Sequence, residues 1–316
     1  MRISKDKWNL KHLREHLQAA VDLEIWTIPF YMSAMYSVVD RTSDAFQLIQ
    51  TVVNQEMLHT QLAANLANAF GLSPSVDAPK YKGKKIPHLD FKLDKHDPRK
   101  KFSPYSAEIG PLDEKRVNAM CLIEYPEWDT GDVPDFRDDV TEYGSIGEFY
   151  DALQYGITLL KDDLHGGVNQ VDYFSAFYDG VPSLTVTESG DQGLRQANLL
   201  INIIRDQGEG TNRKDDEVRP PYQNTADDSW PELAHYDKFI QIRDNPQKPL
   251  VYPVKEKPTR EDREIRDHLV ATFTEFRKTL ELLFAGRNPG GFIPLMISVG
   301  AGIQNCWKHG VTPRFS

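Results

Sequence analysis

The chain has 316 residues, 40% of them hydrophobic, enough to bury a substantial core and to exclude a disordered protein. A formal net charge of −10 leaves no basic excess to displace counterions from a phosphate backbone, so nucleic acid is not an expected partner. Only two cysteines occur, Cys121 and Cys306, far apart and in no metal-binding spacing. The polar N-terminal stretch and the lack of an apolar run near ~18 residues then predict a soluble, cytoplasmic chain with no membrane partner.

In chain order, the apolar spacing predicts a first helix over 11–38, with Leu13, Leu17, Ala20, Ile28, Tyr31 and Met35 on one face and Glu24 among them. Pro29 lies inside it and removes an amide that would bond to the Ile25 carbonyl, so a kink is expected beside Glu24. Trp26, Phe30, Tyr31 and Tyr36 surround this turn and suit either a small apolar pocket or plain core packing. A second helix is predicted over 44–70, capped by Thr42, Ser43 or Asp44 and stopped by Gly71 and Pro74. Its stripe of Phe46, Ile49, Val52, Ala63, Leu66 and Phe70 continues through Glu56 and His59. A buried, unpaired carboxylate costs several kcal/mol, so Glu56 there needs a proton, a hydrogen bond or a cation.

Residues 73–144 are rich in Pro, Gly, Lys and Asp and read as a long ordered insertion with one short helix near 112–122, capping an end of a bundle. A third bundle helix is expected over 145–164, opened by the Ser145/Glu148 capping-box pattern. The alternation in 168–188 suggests one or two strands. The fourth bundle helix spans 191–243, broken after Gly208 and resuming near Trp230. Two closing helices follow, 260–285 and 292–308. The whole reads as one mainly all-α domain, a four-helix bundle with a loop-rich insertion and C-terminal helices.

Of the nine histidines, only His59 and His235 follow a glutamate by three residues, as Glu56-x-x-His59 and Glu232-x-x-His235. On a helix that spacing sets carboxylate and imidazole one turn apart on one face. Glu24 and Glu148 offer inward carboxylates from two other helices, although a capping role would fully occupy Glu148. One Glu from each of two helices and Glu-x-x-His from each of two more is the ligand set of di-iron and di-manganese carboxylate bundles. Carboxylates neutralise two divalent ions while the imidazoles leave coordination positions open. His12, His16, His268 and His309 read as surface or helix-end positions, and His165 as a helix C-terminus.

The segments LQAAVDLEIWTIPFYMSAMYS, VVNQEMLHTQLAANLANAFGLSP, SIGEFYDAL, DQGEG and ELAHYDKF, in that order over 10–243, resemble the ferritin-like family that includes the iminophenyl-pyruvate dimer synthases. The resemblance implies a ferritin-like bundle holding two transition-metal ions, iron or manganese, in an oxidoreductase of specialised metabolism that acts on a small amino-acid-derived molecule. It leaves a homodimer open. The alternative is a ferritin-type metal-binding or stress protein without an organic substrate. The resemblance also singles out Glu209 in DQGEG as the fourth-helix carboxylate, where helical spacing favours Glu232. Gly208 and Gly210 free the backbone for Glu209 to turn inward, whereas Glu232 follows Pro231 in a first helical turn already suited to a carboxylate. Glu209 is preferred and both remain candidates.

Overall fold

The computed structural model describes residues 7–93, 97–126, 137, 139–141, 143–174, 184–208 and 233–316. Among them are eight α-helices and no strand. α1 (Leu10–Ser37) packs along α2 (Asp44–Ala69). α3 (Glu114–Ile123) lies in the expected insertion, followed by α4 (Ile146–Leu159), α5 (Gly190–Gly208) and α6 (His235–Asp244). α7 (Arg260–Phe284) and α8 (Phe292–Lys308) pair with each other, and α8 lies against α1. α3 pairs with α6, α4 with α5, and α2 touches α1, α5, α6 and α7.

The helix starts follow local chemistry. The Asn9 side chain accepts from the amides of Lys11 and His12, Asp113 from Arg116, Ser145 from Glu148, and Thr259 forms a reciprocal box with Asp262. α8 starts after Gly291, whose φ of 66° suits a residue without a Cβ. α1 runs through Pro29 as one continuous helix. The neighbouring aromatics are core rather than pocket: Trp26 stacks on Phe30, packs at a tilt against Tyr81, and its Nε1 donates to the Lys80 carbonyl at 3.0 Å.

The expectation of an amphipathic second helix gives way to something stricter. From Thr51 to Ala69 no residue of α2 is exposed, and only Asn54 and Met57 are half-buried. Its polar side chains must therefore find partners inside the protein. Asn65 donates to the carbonyls of Val171 and Leu184 and accepts from the Val171 amide. Gln61 accepts from the amides of Tyr173 and Phe174, and Asn68 donates to the carbonyls of Asn169 and Phe284. These bonds explain the misread strands. Among the described residues of 168–188 the chain bends, Asn169 lying at φ 48°, and the backbone of Val171, Tyr173, Phe174 and Leu184 pairs with α2 side chains instead of with a neighbouring strand, while 175–183 lie outside the described residues.

The insertion does not simply cap the bundle. Ile86, Phe91, Phe102, Tyr105 and Leu112 join the single hydrophobic core, and α3 lies inside it. No described helix is long and apolar enough to cross a membrane.

His16, expected at the surface, is fully buried. It sits on the inward face of α1, its Nδ1 donating to the His12 carbonyl and its Nε2 accepting from Tyr143, both at 2.8 Å. A neutral ring satisfies both bonds, and burial holds its pKa down from 6.5 to about 4. The folded state thus excludes a proton that the unfolded chain takes up. This contribution is complete above pH 6.5 and is lost as pH falls toward 4, up to about 3 kcal/mol. Urea unfolding from pH 7 to 4 should show a steeper loss of stability in the wild type than in His16→Phe, the two curves converging toward acid pH; parallel curves would refute the assignment.

Candidate metal centre

Five ionisable side chains from four helices meet in the interior: Glu24 of α1, Glu56 and His59 of α2, Glu124 at the C-cap of α3 and His235, the first residue of α6. Each is at most 2% exposed. His235 Nδ1 lies 2.9 Å from Glu56 Oε1 and 3.6 Å from Glu124 Oε2. His59 Nδ1 lies 3.6 Å from Glu24 Oε2 and 3.8 Å from Glu56 Oε1. The two imidazoles are stacked, with centroids 5.3 Å apart. Ligand atoms of Glu56, His59 and His235 all fall within 4.8 Å of one another.

The outer faces of the ligands are also held. His59 Nε2 meets Gln207 Oε1 at 2.9 Å and His235 Nε2 meets Gln55 Oε1 at 3.0 Å. An amide oxygen only accepts, so each ring carries its proton on Nε2 and turns the Nδ1 lone pair to the carboxylates. Tyr31 donates to Glu124 at 2.5 Å and Tyr150 donates to Glu24. Thr27 Oγ1 lies 2.7 Å from Glu56 Oε2.

The crowding disturbs the ionisation of Glu56 and Glu24. Burial, then the charges of Glu124 and Glu24, push Glu56 well above the usual carboxylate range. Burial also opposes the Glu24 charge, but the neighbouring His59 ring and hydrogen bonds from Glu56 and Tyr150 outweigh it and hold Glu24 low. Burial and the Glu124 charge raise Tyr31, and burial and the Glu24 charge raise Tyr150, so both phenols stay protonated donors. Burial lowers His235, in keeping with its place at a positive helix N-terminus.

The donor set fits a transition-metal cation. His235 Nδ1 is buried with no hydrogen-bond partner although a carboxylate oxygen is 2.9 Å away. Two lone pairs aimed at one space repel unless a proton or a cation lies between them; Glu56 is raised far enough to hold the proton, and a metal ion would take its place. The cavity beside the cluster is about 10 Å³, close to the space of one water-sized sphere. Glu24, Glu56, His59 and Glu124 are among its walls.

Of the seven residues expected as ligands, Glu24, Glu56, His59 and His235 stand in the cluster. Glu148 does not. As the third residue of α4 it accepts from the Gly144 amide at 2.8 Å and pairs with Arg137 at 2.6 Å, so capping and an ion pair occupy it. Glu209 and Glu232 lie outside the described residues. α6 begins at His235, and Leu233 and Ala234 before it are not helical.

Glu124 is the cluster member that sequence reasoning missed. It follows five buried residues, Ala119 to Ile123, at a helix C-terminus where the dipole disfavours a negative charge. A buried acid at that end of an apolar helix was the available signal. Gly208 sits beside it, since a Cβ there would come within 3.2 Å of Glu124 Oε2.

The sequence matches the ferritin-like family over residues 17–244. The chain belongs to the ferritin-like family. It is also similar to a crystal structure of a ferritin-like protein from Caulobacter vibrioides, with 45% identity and a TM-score of 0.86, covering 98% of this chain and 99% of the other. No curated protein matches the sequence.

The geometry separates two glutamates that sequence patterning treats alike. Glu124→Gln should lower Co²⁺ or Fe²⁺ affinity at least tenfold while leaving the helical circular dichroism unchanged. Glu148→Gln should keep metal affinity and lose about 1 kcal/mol of stability through the weakened cap and ion pair. The reverse pattern in metal titrations would contradict this division.

Proposed function

We propose that this ferritin-like chain is a dimetal-carboxylate oxidoreductase, with iron as the first choice of metal and manganese as the second, acting on a small organic molecule. The observation that supports it most is the convergence of two Nδ1 lone pairs on three buried carboxylates. Glu24, Glu56, His59, Glu124 and His235 would hold the ions. Three carboxylates neutralise one divalent ion and half the charge of a second, so a further carboxylate, Glu209 or Glu232, would complete a pair.

When bound, the ions would supply activation of O₂ or peroxide and two-electron oxidation of the substrate. The protein's own residues do the rest. Glu56 would release its proton on holding an ion, Tyr31 and Tyr150 anchor Glu124 and Glu24, and the enclosed interior excludes bulk water. The resemblance to iminophenyl-pyruvate dimer synthases supports an amino-acid-derived substrate.

One observation favours the alternative of a metal-binding protein without an organic substrate: the cavity at the cluster has no room for one. Two larger cavities, of about 320 and 520 Å³, lie by Asp244 and Pro249 and share no residue with the cluster. An organic substrate would thus require some rearrangement around the site.

Reconstitution with Fe²⁺ should give about two ions per chain, with Glu56→Ala and His59→Ala losing most of them; no iron above background would end the metal reading. Anaerobically loaded protein mixed with O₂ should then consume it faster in the presence of the right amino-acid-derived substrate. Uptake far beyond two irons per chain, without an organic product, would establish the alternative. Loss of the second equivalent in only one of Glu209→Gln and Glu232→Gln would identify the remaining carboxylate.

A further inference from the structure

Lys238 is fully buried on α6, one turn after His235. A lysine is seldom fully enclosed unless partners hold its charge. Its Nζ lies 2.9 Å from Thr51 Oγ1 and 3.4 Å from Gln55 Oε1, both on α2. Thr51, Gln55 and His59 follow at four-residue spacing along one face of α2, opposite His235 and Lys238 of α6.

A glutamine amide is nearly symmetric in shape but not in chemistry. One end accepts and the other donates. An ammonium has only hydrogens to offer, so the end of Gln55 that meets Lys238 must be the oxygen. The same Oε1 lies 3.0 Å from His235 Nε2. An acceptor there requires the imidazole proton on Nε2, which leaves Nδ1 as the bare lone pair facing Glu56. If the amide turned over, its NH₂ would point at Nζ and at Nε2, opposing the ammonium and drawing the imidazole proton to Nδ1, the atom that faces the carboxylates.

We propose that Lys238 is a positioning residue that selects the tautomer of His235 through the orientation of Gln55. Its charge polarises the amide and Thr51 keeps it in place, so the metal-facing nitrogen is available before any ion arrives. The inference rests on the metal-centre reading for its purpose but not for its observation, since the tautomer is a property of the metal-free protein.

The experiment is two-bond ¹H–¹⁵N correlation on metal-free protein with ¹⁵N-labelled histidine, His235 and His59 being assigned by the spectra of His235→Gln and His59→Gln. In the wild type, His235 should be protonated on Nε2. Lys238→Met should populate the Nδ1-protonated form at His235 and leave His59, which pairs with Gln207, unchanged. Co²⁺ affinity of this variant should fall about tenfold, the usual scale for losing a partner behind a ligand. Adding Gln55→Glu should restore both the tautomer and the affinity, because a carboxylate accepts from Nε2 whichever way it turns. A wild-type His235 protonated on Nδ1 overturns the proposal. So does an unchanged tautomer in Lys238→Met, or in Thr51→Val should the former not fold. Absence of Co²⁺ binding by the wild type, with the expected tautomers, would instead sink the metal reading and leave this one standing.

Discussion

The constraint on which the structure depends is the enclosure of α2 from Thr51 to Ala69. A helix with a wet face can leave its polar side chains to solvent, whereas α2 has none from Thr51 onward. Every Gln, Asn, Glu and His on it must be answered by another part of the chain, at a cost of about 1–3 kcal/mol for each one left unsatisfied. That requirement orders the surroundings. Asn65 and Asn68 fix the path of the chain between α4 and α5 and hold the end of α7, Gln55 and Thr51 hold α6, and Glu56 and His59 complete the ionisable cluster.

Polar burial therefore serves two purposes along one helix. Near its C-terminus the polar groups replace a missing sheet, giving non-helical backbone its hydrogen bonds. Toward the middle they form a site whose charges the protein does not fully neutralise. The difference lies in the partners. Asn65 exchanges bonds with neutral backbone and is satisfied, while Glu56 faces two more glutamates and two histidines whose lone pairs turn toward it. A crowded buried carboxyl is expensive whether it holds a charge or a proton, and the persistence of three of them beside two imidazoles is what supports a functional reading of the cluster.

Much of this was legible because helices announce themselves locally. Asn9, Ser145 and Thr259 mark starts that depend only on nearby side chains, and Glu56 and His59 stood out by occupying an apolar stripe. What failed depended on long-range geometry. Glu148 has the same composition-level credentials as Glu24, but Arg137 and the Gly144 amide take its charge, and no spacing rule reveals that pairing. Glu124 was hidden because it sits at the end of a short helix in a stretch whose loop composition drew attention away from it. His16 was misplaced because a histidine near a chain end reads as solvated until Trp8, Tyr143 and Phe149 are seen around it. The alternation at the described ends of 168–188 looked like sheet because apolar residues that face a core alternate whether a strand or an asparagine satisfies the backbone between them.

The five clustered side chains are not mounted alike. Glu24, Glu56 and His59 project from the interiors of α1 and α2, whereas Glu124 stands at the last turn of α3 and His235 at the first residue of α6. Helix interiors open only with much of the fold, while helix ends fray at far lower free energy. The cluster thus has a rigid half and a pliable half. An ion entering it would meet a standing pair of carboxylates and one imidazole, with the α3 and α6 ends closing from the other side. The order of assembly is then built into the mounting: the rigid half recruits, and the pliable half sets how long the cargo stays.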